Sequence, residues 1–222
     1  MTSSEPEGSG LAGRVGRIVG DGRLGRLTTS VVGELGDLDR AIYAAVAEVP
    51  TPTLDERFRQ LSLLADHSKL WLGIAGATAA LGGRRGRQAA LDGVVAIGIT
   101  SFVVNQPLKR LLPRSRPARE LHGVLTDRHV PLPTSPSFPS GHSASAFAFA
   151  NALGGGLPWA ALPVRAAAAA VAWSRIHTGV HYPGDVIAGA LLGGAVGEVV
   201  GTLRRRRDDR RADPGGALRR RS

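Results

Sequence analysis

A series of long apolar stretches, separated by short basic segments, limits the possible folds more than any other property of this sequence. Five stretches carry at most one charged residue each: 70–83, 89–108, 143–164, 166–173 and 186–203. Some are shorter than the roughly 20 residues that cross a bilayer, and the buried helices of a soluble bundle have a similar composition. The alternation with compact basic loops favours membrane helices. We therefore predict an all-α, integral-membrane helical bundle of about five or six helices.

Glycine positions add detail to this prediction. Three glycines and a proline in 154–158 predict a turn inside the third stretch. In the last stretch glycine occurs at every fourth position, at 189, 193, 197 and 201. This spacing places the four glycines on one helix face, where small residues let two membrane helices pack backbone to backbone. The alternative is that an alanine- and glycine-rich composition produced the pattern by chance.

The chain divides into three parts. Residues 1–36 are predicted to be a flexible or interfacial N-terminal segment, with 1–10 disordered and 11–34 either an amphipathic segment on the membrane or a glycine-rich linker. Residues 37–203 form the main domain, which begins with a short helix at 37–49 and a polar helix near 54–67. Residues 204–222 hold nine arginines and three aspartates. They predict a basic, disordered tail that touches anionic lipid headgroups.

The charge of the chain limits its partners. The formal net charge is +10, which suits nucleic acid, an anionic membrane surface or a phosphorylated substrate. Aromatic residues are only 5% of the chain, and no nucleic-acid motif is present, so we expect no nucleic-acid partner. The chain contains no cysteine, which excludes disulfides and thiolate metal sites. The first residues lack a basic start followed by an apolar run, so we expect no cleavable signal peptide.

The segment Ser174–Asp185 is the predicted functional centre. His181 and Asp185 are four residues apart, so a turn between them lets the carboxylate hold one imidazole nitrogen. The other nitrogen is then free to act as a nucleophile or base. Two further segments, Lys109–Pro117 and Pro139–His142, also adjoin the ends of apolar stretches, and counting spans places all three at one membrane face. Together their cations, histidines and carboxylate suit a phosphoryl group.

These residues carry a family resemblance. The pattern is Lys109, six residues, Arg116-Pro117; then Pro139-Ser140-Gly141-His142; then Ser174-Arg175, five residues, His181, three residues, Asp185. It resembles the three-part signature of the type 2 phosphatidic acid phosphatase (PAP2) superfamily, which includes lipid phosphatases and the vanadium haloperoxidases. Every signature position is matched. The motifs span 109–185, and the surrounding apolar helices extend the resemblance to roughly 60–203.

The resemblance implies a role for each matched residue. His181 would attack phosphorus to give a phosphohistidine, with Asp185 orienting it. His142 would protonate the leaving group and then activate water. The substrate phosphate would be bound by Lys109, Arg116, Ser140, Gly141 and Arg175. Because fixed cations replace the metal that many phosphatases need, no metal or other cofactor is implied.

The implied function is a membrane lipid phosphatase of PAP2 type. Its substrate would be a lipid phosphate or diphosphate monoester, such as a polyprenyl (di)phosphate, phosphatidate or phosphatidylglycerophosphate, and the sequence does not choose among them. The alternatives are a vanadate-dependent haloperoxidase-like enzyme and a non-catalytic membrane scaffold. The oligomeric state is left open.

Several polar residues fall outside the signature. We interpret Arg110, Arg114 and Arg119 as charges that face lipid headgroups, in preference to a direct substrate role. His177 is interpreted as a packing or rim histidine. A polar helix end is predicted at Asp66, His67 and Lys69, on the side of the active site, with headgroup contact as the alternative.

The distribution of arginines predicts the orientation of a multi-pass protein in the cell membrane. The basic loop at 83–87, Arg165 and the C-terminal tail fall on the face opposite the predicted site. Several cations on the site's own face are needed for phosphate and are discounted. The positive-inside rule then places the tail in the cytoplasm and the active site outside it.

Overall fold

The described part of the chain, residues 22–119 and 122–212 of the computed structural model, forms seven α-helices and contains no β-strand. The helices are α1 (Arg23–Glu48), α2 (Pro52–Leu64), α3 (Lys69–Leu81), α4 (Gly83–Val103), α5 (Gly141–Gly156), α6 (Pro158–His177) and α7 (Pro183–Ala212). Helix α4 continues through a π-helical turn at Val104–Leu108 and ends at Leu111.

The five apolar stretches of the sequence lie in the five helices α3 to α7. The third stretch, 143–164, covers α5 and the first part of α6, and the fourth, 166–173, continues α6. The predicted turn at 154–158 is confirmed, because α5 ends at Gly156 and α6 begins at Pro158. The all-α prediction is likewise confirmed. The two remaining helices, α1 and α2, contain the helix predicted at 37–49 and most of the polar helix predicted near 54–67.

Helix α5 is the centre of the bundle and packs against α4, α6 and α7. Most of its side chains are fully buried, and Phe149 lies near its middle with its ring centroid 5.5 Å from that of Trp71 in α3. Gly93 of α4 faces the same ring, and a Cβ atom there would lie 2.6 Å from it. Because α5 is held on three sides, the residues at its N-terminus have fixed positions relative to the ends of its neighbours.

The predicted glycine seam forms the contact between α7 and α5. A Cβ atom at Gly189, Gly193 or Gly197 would lie 1.9–2.4 Å from a main-chain oxygen of α5 or its N-cap: that of Ser140, Ala144 and Ala148, respectively. Only hydrogen fits at these distances, so the two backbones touch along more than two helical turns. The seam fixes α7, which carries Asp185, against α5, which carries His142.

The N-terminal boundary differs from the prediction. We expected a helix to begin at residue 37, whereas α1 begins at Arg23. Buried contacts of Tyr43 and Ala47 anchor the helix to the bundle, and an anchored helix extends by adding one hydrogen bond for each further residue. The helical conformation of residues 23–36 excludes the alternative prediction of a glycine-rich linker for that part of the segment. The predictions for residues 1–21 lie outside the described residues.

The start of the C-terminal tail also differs. Disorder was expected from residue 204, but α7 continues to Ala212. Arg204 explains the difference, because it donates to Asp92 and, over 2.7 Å, to Gln88 of α4. Arg205 likewise donates to Glu198 at 2.8 Å. The Arg204 contacts hold the basic end of α7 on α4, whereas the Arg205 contact lies within α7. The prediction for 213–222 lies outside the described residues.

Two helical segments, Gly83–Leu111 and Pro183–Asp209, are long and apolar enough to cross a bilayer. Both present large apolar side chains on the outer surface of the bundle. Phe102 and Leu91 of α4 are 67% and 62% exposed, and Leu191 of α7 is 71% exposed. Hydrocarbon is a favourable surrounding for such side chains and water is not.

Candidate active site

A cavity of about 230 Å³ opens at the end of the bundle where α4 ends and α5 begins. All three signature segments contribute to its wall. The wall contains five of the eight predicted site residues: Lys109, Arg116, Gly141, His142 and His181. The other three, Ser140, Arg175 and Asp185, are buried directly behind it.

His181 lies in the turn between α6 and α7 and is 1% exposed. Its Nδ1 atom is 3.5 Å from Oδ2 of Asp185, so the carboxylate is placed to orient the ring as the spacing predicted. Its Nε2 atom is 3.3 Å from the Arg116 guanidinium. Burial lowers the pKa of His181 to about 3 despite the neighbouring carboxylate, so the imidazole is neutral at physiological pH. A neutral imidazole has a lone pair available for attack on phosphorus.

The carboxylate of Asp185 is held by several donors. Its Oδ2 atom accepts hydrogen bonds from the Tyr182 backbone N–H at 3.0 Å and from the Ser137 hydroxyl. Its Oδ1 atom accepts one from Arg114 at 2.9 Å. These bonds fix the carboxylate plane and therefore the ring that it faces.

Arg114 differs most from the prediction made for it. Its side chain does not face lipid headgroups: it is buried and bridges Asp185 to Asp39 of α1, with a distance of 2.7 Å to Asp39 Oδ2. Its guanidinium also lies 4.2 Å above the ring of Tyr182. Asp39 in turn accepts the Gly184 N–H at 2.6 Å. Helix α1 therefore supports the signature residues, a contact that sequence spacing cannot reveal.

Arg119 is buried too, and its guanidinium donates to the carbonyl oxygens of Val130 and Gly179 at 2.8 and 3.3 Å. It therefore holds loop backbone instead of facing the membrane. Of the three arginines interpreted as headgroup-facing, only Arg110 is exposed.

The cations of the cavity are supported by the loop before α5. The Lys109 ammonium donates to the Ser135 hydroxyl at 2.9 Å, and Arg116 Nε donates to the Ser135 carbonyl at 3.0 Å. Burial lowers the pKa of Arg116 to about 10, which leaves its guanidinium charged at neutral pH. Two fixed positive charges therefore face the same space as His181.

Arg175 approaches the site from the C-terminal end of α6. One guanidinium nitrogen donates to Ser62 at 2.5 Å and lies 3.9 Å from Asp66. Its Nε–H is buried and has no hydrogen-bond partner in the described part of the chain. A buried guanidinium donor without an acceptor is suited to an anionic ligand.

The Pro139–His142 segment forms the start of α5. The Ser140 hydroxyl caps the helix by accepting the Ser143 N–H at 3.4 Å, and the Ser140 N–H is bonded to the Asp185 carbonyl at 2.9 Å. Ser140 therefore fixes the geometry of the helix end, whereas Gly141 lies in the cavity wall. The N-terminal end of α5, which carries the positive end of the helix dipole, is at this position, and such an end favours the binding of an anion.

Asp66 is a site residue that the sequence interpretation treated as an ordinary polar helix end. Its Oδ1 atom lies 2.8 Å from His142 Nε2. The hydrogen bond from His142 holds the pKa of Asp66 below its usual value, so the group is ionised. Nothing in the spacing of residues 66 and 142 indicates this pair.

His177 is a packing residue, in agreement with the sequence interpretation. It is 5% exposed, and its Nε2 atom lies 2.8 Å from Asp55 of α2. Asp55 is also paired with the buried Arg128 at 2.9 Å. This cluster fastens α2 and the loop before α5 to the end of α6, away from the cavity wall.

The chain is similar to proteins of one family. The sequence model of the PAP2 superfamily matches residues 89–209. A decaprenylphosphoryl-5-phosphoribose phosphatase of Mycobacterium tuberculosis is 36% identical over 167 residues, which are 73% of this chain and 89% of that protein.

Two crystal structures share the fold. A transmembrane PAP2-type phosphatidylglycerolphosphate phosphatase from Bacillus subtilis matches with a TM-score of 0.62 at 25% identity, over 78% of this chain and 87% of that one. Aquifex aeolicus LpxE matches with a TM-score of 0.59 at 27% identity, over 73% of this chain and 94% of that one.

Proposed function

The chain belongs to the PAP2 superfamily of phosphatases, and we propose that it removes the terminal phosphate from a polyprenyl-linked phosphate through a phosphohistidine at His181. The observation that carries this proposal is the position of the neutral His181 imidazole beside Arg116 and Lys109 in one cavity. A nucleophile next to fixed cations is what transfer of a phosphoryl group requires.

The proposed reaction has two steps. In the first, His181 Nε2 attacks phosphorus, the bond to the leaving oxygen breaks, and His142 gives that oxygen a proton. In the second, His142 takes a proton from water, whose oxygen attacks phosphorus while the bond to His181 breaks. Lys109, Arg116 and Arg175 neutralise the charge that gathers on the equatorial oxygens in both steps.

A polyprenyl carrier is supported by the curated relative, whose name describes a phosphatase of a decaprenyl-linked phosphoribose. The cavity offers hydroxyl and amide groups beyond those of the signature, from Ser68, Ser101, Asn105 and Ser145. Such groups suit a sugar or a second phosphate next to the phosphate that is removed.

The test of this proposal is phosphate release by the purified protein from a panel of lipids. We expect kcat/KM to be at least about ten-fold higher for polyprenyl-linked phosphates than for phosphatidate or phosphatidylglycerophosphate, a difference of about 1.4 kcal/mol. Because cations of the protein perform the role of a metal, activity should persist in excess EDTA. Vanadate should inhibit by binding in the cavity in place of the substrate phosphate, and the protein should not oxidise halide.

Three outcomes would contradict different parts of the proposal. A preference for phosphatidate would contradict the polyprenyl carrier as substrate but would leave the phosphatase activity supported. If EDTA abolished activity and magnesium restored it, the proposal that cations of the protein replace a metal ion would be wrong. Oxidation of halide by peroxide in the presence of vanadate would support the haloperoxidase alternative.

We further propose that the active site faces away from the cytoplasm. Among side chains that the structure describes, the exposed cations at the end of the cavity are Arg57, Lys69 and Arg110. At the opposite end the exposed cations are Arg84, Arg85, Arg87, Arg165, Arg205, Arg206 and Arg207. Because Arg114, Arg119, Arg128 and Arg175 are buried, they do not enter the count. The positive-inside rule therefore favours a cytoplasmic C-terminus more strongly than the sequence count did.

Labelling of single cysteines tests this orientation. The chain has no native cysteine, and both Thr126 and Arg207 are exposed, at opposite ends of the bundle. In intact cells, a membrane-impermeant maleimide should label Thr126→Cys and not Arg207→Cys, whereas permeabilised cells should label both. The reverse pattern in intact cells would place the site in the cytoplasm.

A further inference from the structure

The turn between α2 and α3 forms one wall of the cavity and precedes the residues that the family model matches. It is a short 3₁₀ segment, Asp66–Ser68. His67 (φ 53°, ψ 28°) and Ser68 (φ 60°, ψ 18°) both have left-handed backbone conformations, and both line the cavity. Such a conformation is unfavourable for a non-glycine residue and occurs preferentially at functional sites.

The turn brings Asp66 to His142. Asp66 Oδ1 lies 2.8 Å from His142 Nε2, and the neighbouring cation is Arg175, 3.9 Å from the same oxygen. Lys109 is the other cation that acts on His142, from α4. Asp66 is the only carboxylate in the described residues within ion-pair distance of His142.

We propose that Asp66 is the positioning residue of His142, a role that rests on the proposed function of His142 as acid and base. A carboxylate at Nε2 favours the imidazole tautomer that carries its proton on Nε2. Nδ1 is then the nitrogen that exchanges protons. It gives a proton to the leaving oxygen as the P–O bond breaks, and later takes one from the water that displaces His181.

The site then contains two aspartate–histidine pairs with different tasks. Asp185 orients the nucleophile His181, and Asp66 orients the proton-transferring His142. The negative charge of Asp66 also stabilises the imidazolium form of His142 against the cations around it. Only the first pair is visible in the sequence, because its members are four residues apart, while 76 residues separate the members of the second.

The experiment compares two substrates in Asp66→Asn. A lipid monophosphate releases an alkoxide that needs a proton, whereas p-nitrophenyl phosphate releases a stable phenolate that does not. We expect kcat/KM for the lipid monophosphate to fall about 10- to 100-fold, and that for p-nitrophenyl phosphate to fall less than about three-fold. KM should change less than about two-fold because Asp66 does not hold the substrate. Asp66→Glu should restore part of the loss.

Asp55→Asn is the matched control. Asp55 makes the same contact, 2.8 Å to His177 Nε2, but outside the cavity wall. The Asp55→Asn variant should have a lower melting temperature, because Asp55 holds α2 on α6. The ratio of the two kcat/KM values should remain as in the wild type.

Two results would overturn the proposal: a lipid kcat/KM of Asp66→Asn within about three-fold of wild type, or equal losses on both substrates, which indicate a structural role. Failure of the proposed function is distinguishable from these results. In that case the wild-type protein itself would release no phosphate from the lipid, or His142→Ala would alter neither substrate's rate.

Discussion

Replacing His181 by alanine should abolish phosphate release, with kcat reduced by at least about a thousand-fold, because removal of a covalent nucleophile eliminates the reaction path rather than slowing one of its steps. The side chain is buried beside Asp185, and its Nε2 faces Arg116 at the cavity. No other histidine in the described residues combines an aspartate at one ring nitrogen with a cavity cation at the other. The variant therefore has no substitute nucleophile.

The measurement has two parts, turnover and trapping of the intermediate. Wild-type protein quenched during turnover with labelled substrate should carry an acid-labile, alkali-stable phosphoryl group, and His181→Ala should carry none. His129→Ala is a suitable control, because its Nε2 contacts the Val124 carbonyl in the loop, at 3.1 Å, and His129 is not among the described residues that line the cavity. We expect this control to retain turnover and the phosphoenzyme. A His181→Ala protein that keeps more than about a tenth of the wild-type rate would contradict the covalent mechanism.

Replacing Gly193 by leucine should prevent assembly of the bundle, and even Gly193→Ala should destabilise it by about 1–3 kcal/mol or more. A Cβ atom at this position would lie 1.9 Å from the Ala144 carbonyl oxygen and 2.7 Å from its carbon. Both are backbone atoms at the middle of the seam, so they cannot rotate away. A side chain at this position therefore forces helices α5 and α7 apart. Because α5 carries His142 and α7 carries Asp185, activity should fall together with stability.

The matched control is Gly98→Ala in α4. A Cβ atom at Gly98 meets nothing within 4 Å, and alanine favours the helix over glycine by up to about 1 kcal/mol. Thermal unfolding in detergent should therefore give a melting temperature at or above wild type for Gly98→Ala and a clearly lower one for Gly193→Ala. Equal melting temperatures for the two variants would show that the seam does not hold the bundle together.

Local patterns in the sequence were sufficient for the helices and for the seam. Apolar length, the glycine–proline turn and a four-residue glycine repeat are properties of adjacent residues, and the structure has the helices, the break at Leu157 and the α5–α7 contact where these patterns place them. The signature residues also meet at one end of the bundle. Each adjoins a helix end, and the short α5–α6 and α6–α7 connections leave those helices little choice of direction, although a long loop separates α4 from α5.

Helix ends were less predictable from the sequence. The start of α1 at Arg23 and the continuation of α7 past residue 204 depend on contacts with other helices, such as that of Arg204 with Asp92 of α4. Charge alone suggested disorder in the tail. A basic segment becomes ordered, however, when a partly buried acidic residue on another helix is within reach.

Local patterns are enough to identify an all-α bundle that carries the PAP2 signature, because apolar length and the spacings within each motif are properties of neighbouring residues. Which other residues complete the site depends on how the helices pack. Arg114 is buried between Asp39 and Asp185, and Asp66 reaches His142, although their separations along the chain carry no pattern. A buried charge is stable only beside a partner, and that partner is supplied by whichever helix the packing brings near. This is why arginines that look like membrane-surface charges in the sequence lie inside the protein.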